Sequence, residues 1–231
     1  VNLFLRWLSN TNRVLSMEKL ALHGGTPISP KYLGYGHQDI NEDDIAAVVE
    51  TLKSDYLTCG PATEAFEESI KQATGARYVT AVSNGTAALH VACLAADIKP
   101  GDEVIVSPIT FAASANCVLY CGAKPVFADI DPKTWNISPK SIREKITDKT
   151  KAIIAVDFGG VNVDSDEIRT ICEEFNLIFI EDAAHSLGTK HNGQPVGSIA
   201  DITTLSFHPV KTVTTGEGGA VATNNPEFAK R

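Results

Sequence analysis

Three short segments carry residues whose types and spacing suit chemistry. Ser83-Asn84-Gly85-Thr86 joins an apolar run at 78–82 to an Ala- and Leu-rich stretch. A glycine at such a junction lets a ligand approach the backbone, and the free N–H groups of Thr86 and Ala87 at a helix start would face an anion, so the turn reads as a phosphate seat. The plain alternative is an ordinary helix cap. The turn is neither the Gly-Lys-Ser/Thr of a Walker loop nor a Gly-x-Gly-x-x-Gly dinucleotide fingerprint. Glu181-Asp182 follows the apolar residues 177–180, which places the Asp182 carboxylate at a strand rim. There it could pair with a cationic heteroaromatic nitrogen, or simply cap the next helix. Lys211 lies in a Ser-, Thr- and Gly-rich segment, 206–219, after an apolar strand. A lysine facing a site forms an imine with a carbonyl when desolvation or positive neighbours lower its pKa; otherwise it is a solvated surface amine.

The elements that must position these residues follow a regular rhythm. Asn41-Glu42-Asp43-Asp44 caps an amphipathic helix to about Ser54, and Pro61 opens another toward Thr74. After Gly75, apolar strands are expected at 78–82, 104–106, 125–128, 152–156 and 177–180. Helices are expected between them at 86–96, 112–120, 138–146 and 164–175. Short continuous apolar strands alternating with helices predict an α/β fold, a mostly parallel sheet with helices on both faces. In such sheets ligands sit beyond the carboxyl ends of the strands, where all three segments lie.

The 231 residues hold 20 Lys+Arg and 28 Asp+Glu, a net charge of −8, with 43% hydrophobic residues. That composition describes a globular chain and excludes disorder, collagen-like repeats and a general nucleic-acid binder, whose affinity needs clustered Lys and Arg. No apolar run approaches the roughly 18 residues of a bilayer span, so no membrane partner is expected. Cys59, Cys93, Cys117, Cys121 and Cys172 are scattered through apolar or helical stretches and read as buried reduced thiols of a cytoplasmic protein. Their spacing forms no metal site. The single methionine, Met17, suggests that residues 1–16 are a non-native or disordered extension and that 17–231 form one domain. Pro226 opens a helix only five residues before Arg231, which points to a truncated chain. Asp157-Phe158-Gly159 matches the kinase metal-binding triplet without its companion motifs and is read as coincidence.

Together, Asn84-Gly85-Thr86-Ala87-Ala88-Leu89-His90, Glu181-Asp182-Ala183-Ala184-His185-Ser186-Leu187-Gly188 and Ser206-Phe207-His208-Pro209-Val210-Lys211-Thr212, followed by Gly216-Glu217-Gly218-Gly219-Ala220, resemble the DegT/DnrJ/StrS family from about Gly24 to the last residue. These are pyridoxal 5′-phosphate-dependent nucleotide-sugar aminotransferases of fold type I. The resemblance implies that Lys211 holds the cofactor as a Schiff base and, once displaced, shuttles the proton. It implies that Asp182 keeps the pyridine nitrogen protonated and that Gly85, Thr86, Ala87 and Ser206 bind the phosphate. Phe111 would stack on the ring, and His185 would sit by the ring hydroxyl; on residue type alone these two are a core aromatic and a helix-face histidine. Residues 107–123 and 55–61 resemble the branch that aminates a UDP-linked 4-keto-6-deoxy-N-acetylhexosamine in pseudaminic acid-type biosynthesis, with an amino-acid donor, L-glutamate. A related branch with His in place of the lysine performs dehydration, so Lys211 argues for transamination. Family members continue into a small C-terminal domain and form homodimers with shared sites. Other readings are a different nucleotide-sugar 3- or 4-aminotransferase, or an inactive fragment or non-catalytic binding protein that keeps the fold.

Overall fold

The computed structural model describes residues 19–231 apart from Leu33 and Tyr35, so the expected extension at 1–16 lies outside the described residues. The chain divides into two compact units, residues 1–37 and 38–231. In the first, the described residues include a single 3₁₀ turn, Ala21–His23, closed by Gly24 at φ 85°. The second carries everything that follows.

Its helices are α1 (Glu42–Lys53), α2 (Pro61–Thr74), α3 (Gly85–Ala95), α4 (Ala113–Tyr120), α5 (Pro139–Lys145), α6 (Ser165–Phe175) and α7 (Pro226–Lys230). Its strands are β1 (Tyr78–Val82), β2 (Glu103–Val106), β3 (Lys124–Phe127), β4 (Thr150–Val156), β5 (Ile178–Asp182), the short pair β6 (Lys190–His191) and β7 (Gln194–Pro195), then β8 (Ile202–Ser206) and β9 (Gly219–Thr223). The starts are set by local chemistry. Asn41 Oδ1 accepts from Asp43 N and Asp44 N while Asp44 returns a carboxylate to Asn41 N, a reciprocal cap for α1. Pro61 and Pro139 occupy the first turns of α2 and α5, where the missing N–H costs nothing.

Seven strands form one sheet in the order β1-β9-β8-β5-β4-β2-β3. The run from β8 to β3 is parallel, and β9 is antiparallel to both of its neighbours. The mostly parallel sheet is therefore as expected, whereas β9 and the β6–β7 hairpin have no counterpart among the expected elements. Strand β5 also runs two residues further than expected, so Glu181 and Asp182 belong to the strand itself.

Alternation along the strands divides the core between two faces. Val104, Val106, Ile154, Ile180 and Ile202 pack with Ala88, Leu89, Cys93, Cys117 and Val118 of α3 and α4. Ile105, Ile153 and Phe179 pack on the other side with Ile142 of α5 and Ile168 and Ile171 of α6. A third cluster joins Ile70 of α2 to Val79, Leu205, Phe207 and Ala220. Cys93, Cys117 and Cys172 are buried and Cys121 is half-buried, but Cys59 is exposed; it sits in a turn at φ 47° ahead of Gly60 rather than in a packed helix. Among the described residues no helix is long and apolar enough to cross a membrane.

The edge of the sheet opposite the cavity is tied by one polar strut. Arg169 of α6 donates to both carboxylate oxygens of Asp201 at 3.0 and 3.1 Å and to Ile199 O. Asp201 Oδ2 also accepts from Phe179 N at 2.8 Å, which fixes the start of β5. Asp201→Ala strands a guanidinium and a backbone donor, so chemical denaturation should show a loss of about 2–4 kcal/mol. Asp201→Asn, which keeps an acceptor, should lose clearly less.

Candidate active site

Every parallel strand ends on the same edge as β1, and the antiparallel β9 begins there. Gly219 is paired with Val82 on one side and with Ser206 on the other. This brings the 83–86 turn, the end of β8 and the start of β9 to one point. The approach is close: a Cβ on Gly219 would lie 2.4 Å from the Asn84 carbonyl carbon and oxygen, and one on Gly85 would lie 2.8 Å from Ser206 Cβ. Only glycine fits at either position, which accounts for both residues on steric grounds.

Asn84 caps α3 by accepting from Ala87 N at 2.8 Å. Ala87 therefore departs from its expected part in the phosphate seat, because its N–H is spent on the cap and the residue does not line the cavity. Gly85 and Thr86 keep their N–H groups without a partner among the described residues, at the positive end of the helix dipole. Ser206 completes a cradle of two backbone donors and two hydroxyls.

This cradle forms one wall of a cavity of about 760 Å³. Gly85, Thr86, Phe111, Asp182, His185, Ser206 and Lys211 all line it, so seven of the eight expected site residues share one space. Asp182, the last residue of β5, accepts from Ser114 Oγ at 2.7 Å through Oδ2 and from Ala184 N at 3.3 Å through Oδ1. Burial pushes its pKa up, and Ser114, Ala184, His185 and Lys211 pull it back. His185 Nδ1 accepts from Gly159 N at 3.2 Å, so a neutral imidazole carries its proton on Nε2. Burial, then the neighbouring Lys211 charge, lowers the His185 pKa and favours that neutral form. Phe111 is 74% exposed, an aromatic face at the cavity rather than the core residue its type alone suggests.

Lys211 stands on a loop between β8 and β9 that its hydroxyls tie down. Thr214 Oγ1 and Thr215 N donate to Phe207 O, and Phe207 N donates to Gly218 O. Thr212 Oγ1 reaches His185 O, and Gln38 Nε2 donates to Pro209 O at 2.7 Å. Desolvation lowers the Lys211 pKa, opposed by the Asp182 charge, so the amine loses its proton more readily than a surface lysine. Sequence reasoning missed Ser114, Thr110, Phe158, His208 and Glu217, the last four of which also line the cavity. Ser114 could only have been found from helical phase, by placing it one turn past Thr110.

Residues 38–231 match the DegT/DnrJ/EryC1/StrS aminotransferase family. The chain belongs to this family. A relative from Campylobacter jejuni, UDP-4-amino-4,6-dideoxy-N-acetyl-beta-L-altrosamine transaminase, is 41% identical over 200 residues, covering 85% of this chain and 53% of its own length. Among solved structures, Helicobacter pylori PseC, an aminotransferase involved in the biosynthesis of pseudaminic acid, superposes with a TM-score of 0.82 at 34% identity, covering 87% of this chain and 54% of that one. The PLP form of a Streptococcus pneumoniae chain described as a sugar aminotransferase superposes with a TM-score of 0.79 at 36% identity, covering 84% and 54%. This chain thus spans about half the length of the relatives it matches.

The DegT/DnrJ/EryC1/StrS enzymes use pyridoxal phosphate, and the donor set here fits that group. Gly85 and Thr86 N–H with the Thr86 and Ser206 hydroxyls offer donors to a phosphate. Asp182 keeps acceptor capacity on Oδ1, suited to a ring N–H, and Lys211 carries an amine of the kind that would condense with the aldehyde.

Behind the cavity two more acids are buried. Asp157 accepts from Ser186 Oγ and Val163 N, and burial raises its pKa to about 6. Glu181 accepts from Thr203 Oγ1 and Gly197 N, and burial followed by the Asp157 charge raises it to about 8. Each binds its proton more tightly folded than unfolded, so the stability these two contribute is full below ordinary carboxylate values and is lost as pH rises through their raised ones. Thermal midpoints should decline between about pH 5 and pH 8, and Glu181→Gln should flatten the upper part of that decline. Gly219→Ala should cost about 1–3 kcal/mol in denaturation, since its clash is with backbone. It should also weaken cofactor binding about tenfold by displacing the 83–86 turn, read from titration of cofactor absorbance.

Proposed function

We propose that the protein containing this chain transfers an amino group from an amino acid to a nucleotide-linked keto-sugar. The observation that carries this reading is the convergence of Lys211, Asp182 and the Gly85–Thr86–Ser206 cradle on one cavity. Bound pyridoxal phosphate supplies an electron sink for the pair left behind when a bond to the amino-acid α-carbon breaks. The protein's own groups do the rest. The cradle fixes one end of the ligand with donors that cost no reorganisation. Asp182 holds a proton at the ring nitrogen, where a buried carboxylate strongly favours a cation. Lys211, whose amine desolvation makes easier to deprotonate, would take the proton from the donor α-carbon and return it to the cofactor carbon that carries the nitrogen. Phe111 offers a flat apolar face, and His185 offers the Nε2 proton.

The finer reading is a UDP-linked 4-keto-6-deoxy-N-acetylhexosamine as acceptor and L-glutamate as donor, in pseudaminic acid-type biosynthesis. It is supported by the likeness to the Campylobacter jejuni transaminase and to PseC. We read the working form as a cytoplasmic homodimer with shared active sites.

Borohydride reduction of the full-length protein with pyridoxal phosphate, followed by peptide mass spectrometry, should place the cofactor label on Lys211 alone. Lys211→Ala should remove the label and slow turnover by about 10²–10⁴-fold. Turnover unchanged by that substitution would falsify the mechanism. Rates compared across UDP- and TDP-linked 3-keto and 4-keto sugars, with glutamate and other donors, identify the substrate; the UDP-linked 4-keto sugar should react fastest.

A further inference from the structure

The Asp182 carboxylate does not stand alone at the end of β5. Ser114, fully buried in the first turn of α4, lies 2.7 Å from Asp182 Oδ2 and 2.7 Å from Thr110 Oγ1, with Phe111 O at 3.2 Å. A serine hydroxyl has one proton to give. An ionised carboxylate only accepts, so Ser114 donates to Asp182, and the Thr110 hydroxyl must then donate to Ser114. The result is a directed relay, Thr110 to Ser114 to Asp182, that fills Oδ2 and leaves Oδ1, with its single long bond from Ala184, as the oxygen with room for a ligand.

We infer that Ser114, oriented by Thr110, is the positioning residue that holds Asp182 ionised and reserves its Oδ1 for the ring N–H of the cofactor. The inference rests on the pyridoxal-phosphate reading above and deepens it. The other charged groups around Asp182 cannot take this part. Lys211 is committed to the cofactor aldehyde, and His185 spends Nδ1 on Gly159 and is held neutral. Asp157, just after β4, and Glu181, on the opposite face of β5, are acids, so neither supplies a positive charge to Asp182. Ser114 supplies the close charge-stabilising donor that α4 presents to this carboxylate.

Loss of the Ser114 hydroxyl moves the shared proton from ring nitrogen toward carboxylate. A ring with less positive charge withdraws less from the Lys211 imine, so the imine holds its proton to higher pH. In the full-length protein loaded with pyridoxal phosphate, Ser114→Ala should raise the midpoint of the visible-absorbance pH titration by about one unit. It should lower kcat about tenfold and leave KM for the keto-sugar within about twofold. Ser114→Thr, which keeps the hydroxyl, should restore the midpoint, and Thr110→Val should give a smaller shift in the same direction. An unchanged midpoint in Ser114→Ala, with Lys211 still taking the reductive label, overturns this inference alone. No label in the unsubstituted protein overturns the transaminase reading and this inference with it.

Discussion

A carboxylate buried at the end of the central strand of a sheet imposes the main constraint on this structure. Asp182 is 5% exposed, so its ionised form is costly unless donors and a cation are brought to it. The architecture around it answers that need. Helix α4 delivers a hydroxyl and the segment after β5 delivers a backbone N–H, while His185 and Lys211 line the same cavity. The remaining demand is for a cation within the cavity, which a protonated heteroaromatic ring meets. Structure and cofactor chemistry are in this sense two parts of one electrostatic problem.

The opposite demand, for anion affinity, is addressed at another part of the same cavity by backbone N–H groups and hydroxyls. The 83–86 turn gains its donors from the start of α3, and its position from Gly219, which admits the turn only because it has no side chain. The turn, the carboxylate at the end of β5, Lys211 and Phe111 all line the same cavity. An acidic chain can therefore bind an anionic ligand, because the relevant donors are local and uncharged.

Much of this was readable in the sequence where the pattern was strong. The runs that became β1, β2, β4 and β5 are apolar and β-branched, and helices follow the first three of them, so the parallel sheet could be anticipated. Lys211, Asp182 and the glycine turn were legible as chemistry, and the family resemblance joined them. Strand β9 was not legible, because Gly219-Ala220-Val221-Ala222-Thr223 places Gly and Ala, residues depleted in strands, at three of its five positions. Those small side chains are what let it lie fully buried between β1 and β8 under α3. That Asn84 accepts the Ala87 N–H was not legible either, because Asn caps and anion seats share the same sequence pattern. Ser114 was missed because a serine in a helix reads as neutral, and its partner lies 68 residues away.

The position of β9 also dictates an order of events during synthesis. The strand that closes the gap beside β1 pairs Thr223 with Tyr78, a separation of 223 − 78 = 145 residues along the chain. Until the ribosome has delivered β9, β1 has no neighbour in the sheet, and the 83–86 turn lacks the strand that presses it into place. Strands β2 to β5 can associate as they emerge, each beside a strand already made, but the ligand-binding edge assembles last. Such distant pairing is slow and leaves an open strand exposed in the meantime, so the growing chain is most vulnerable to misassociation just before the walls of the cavity come together.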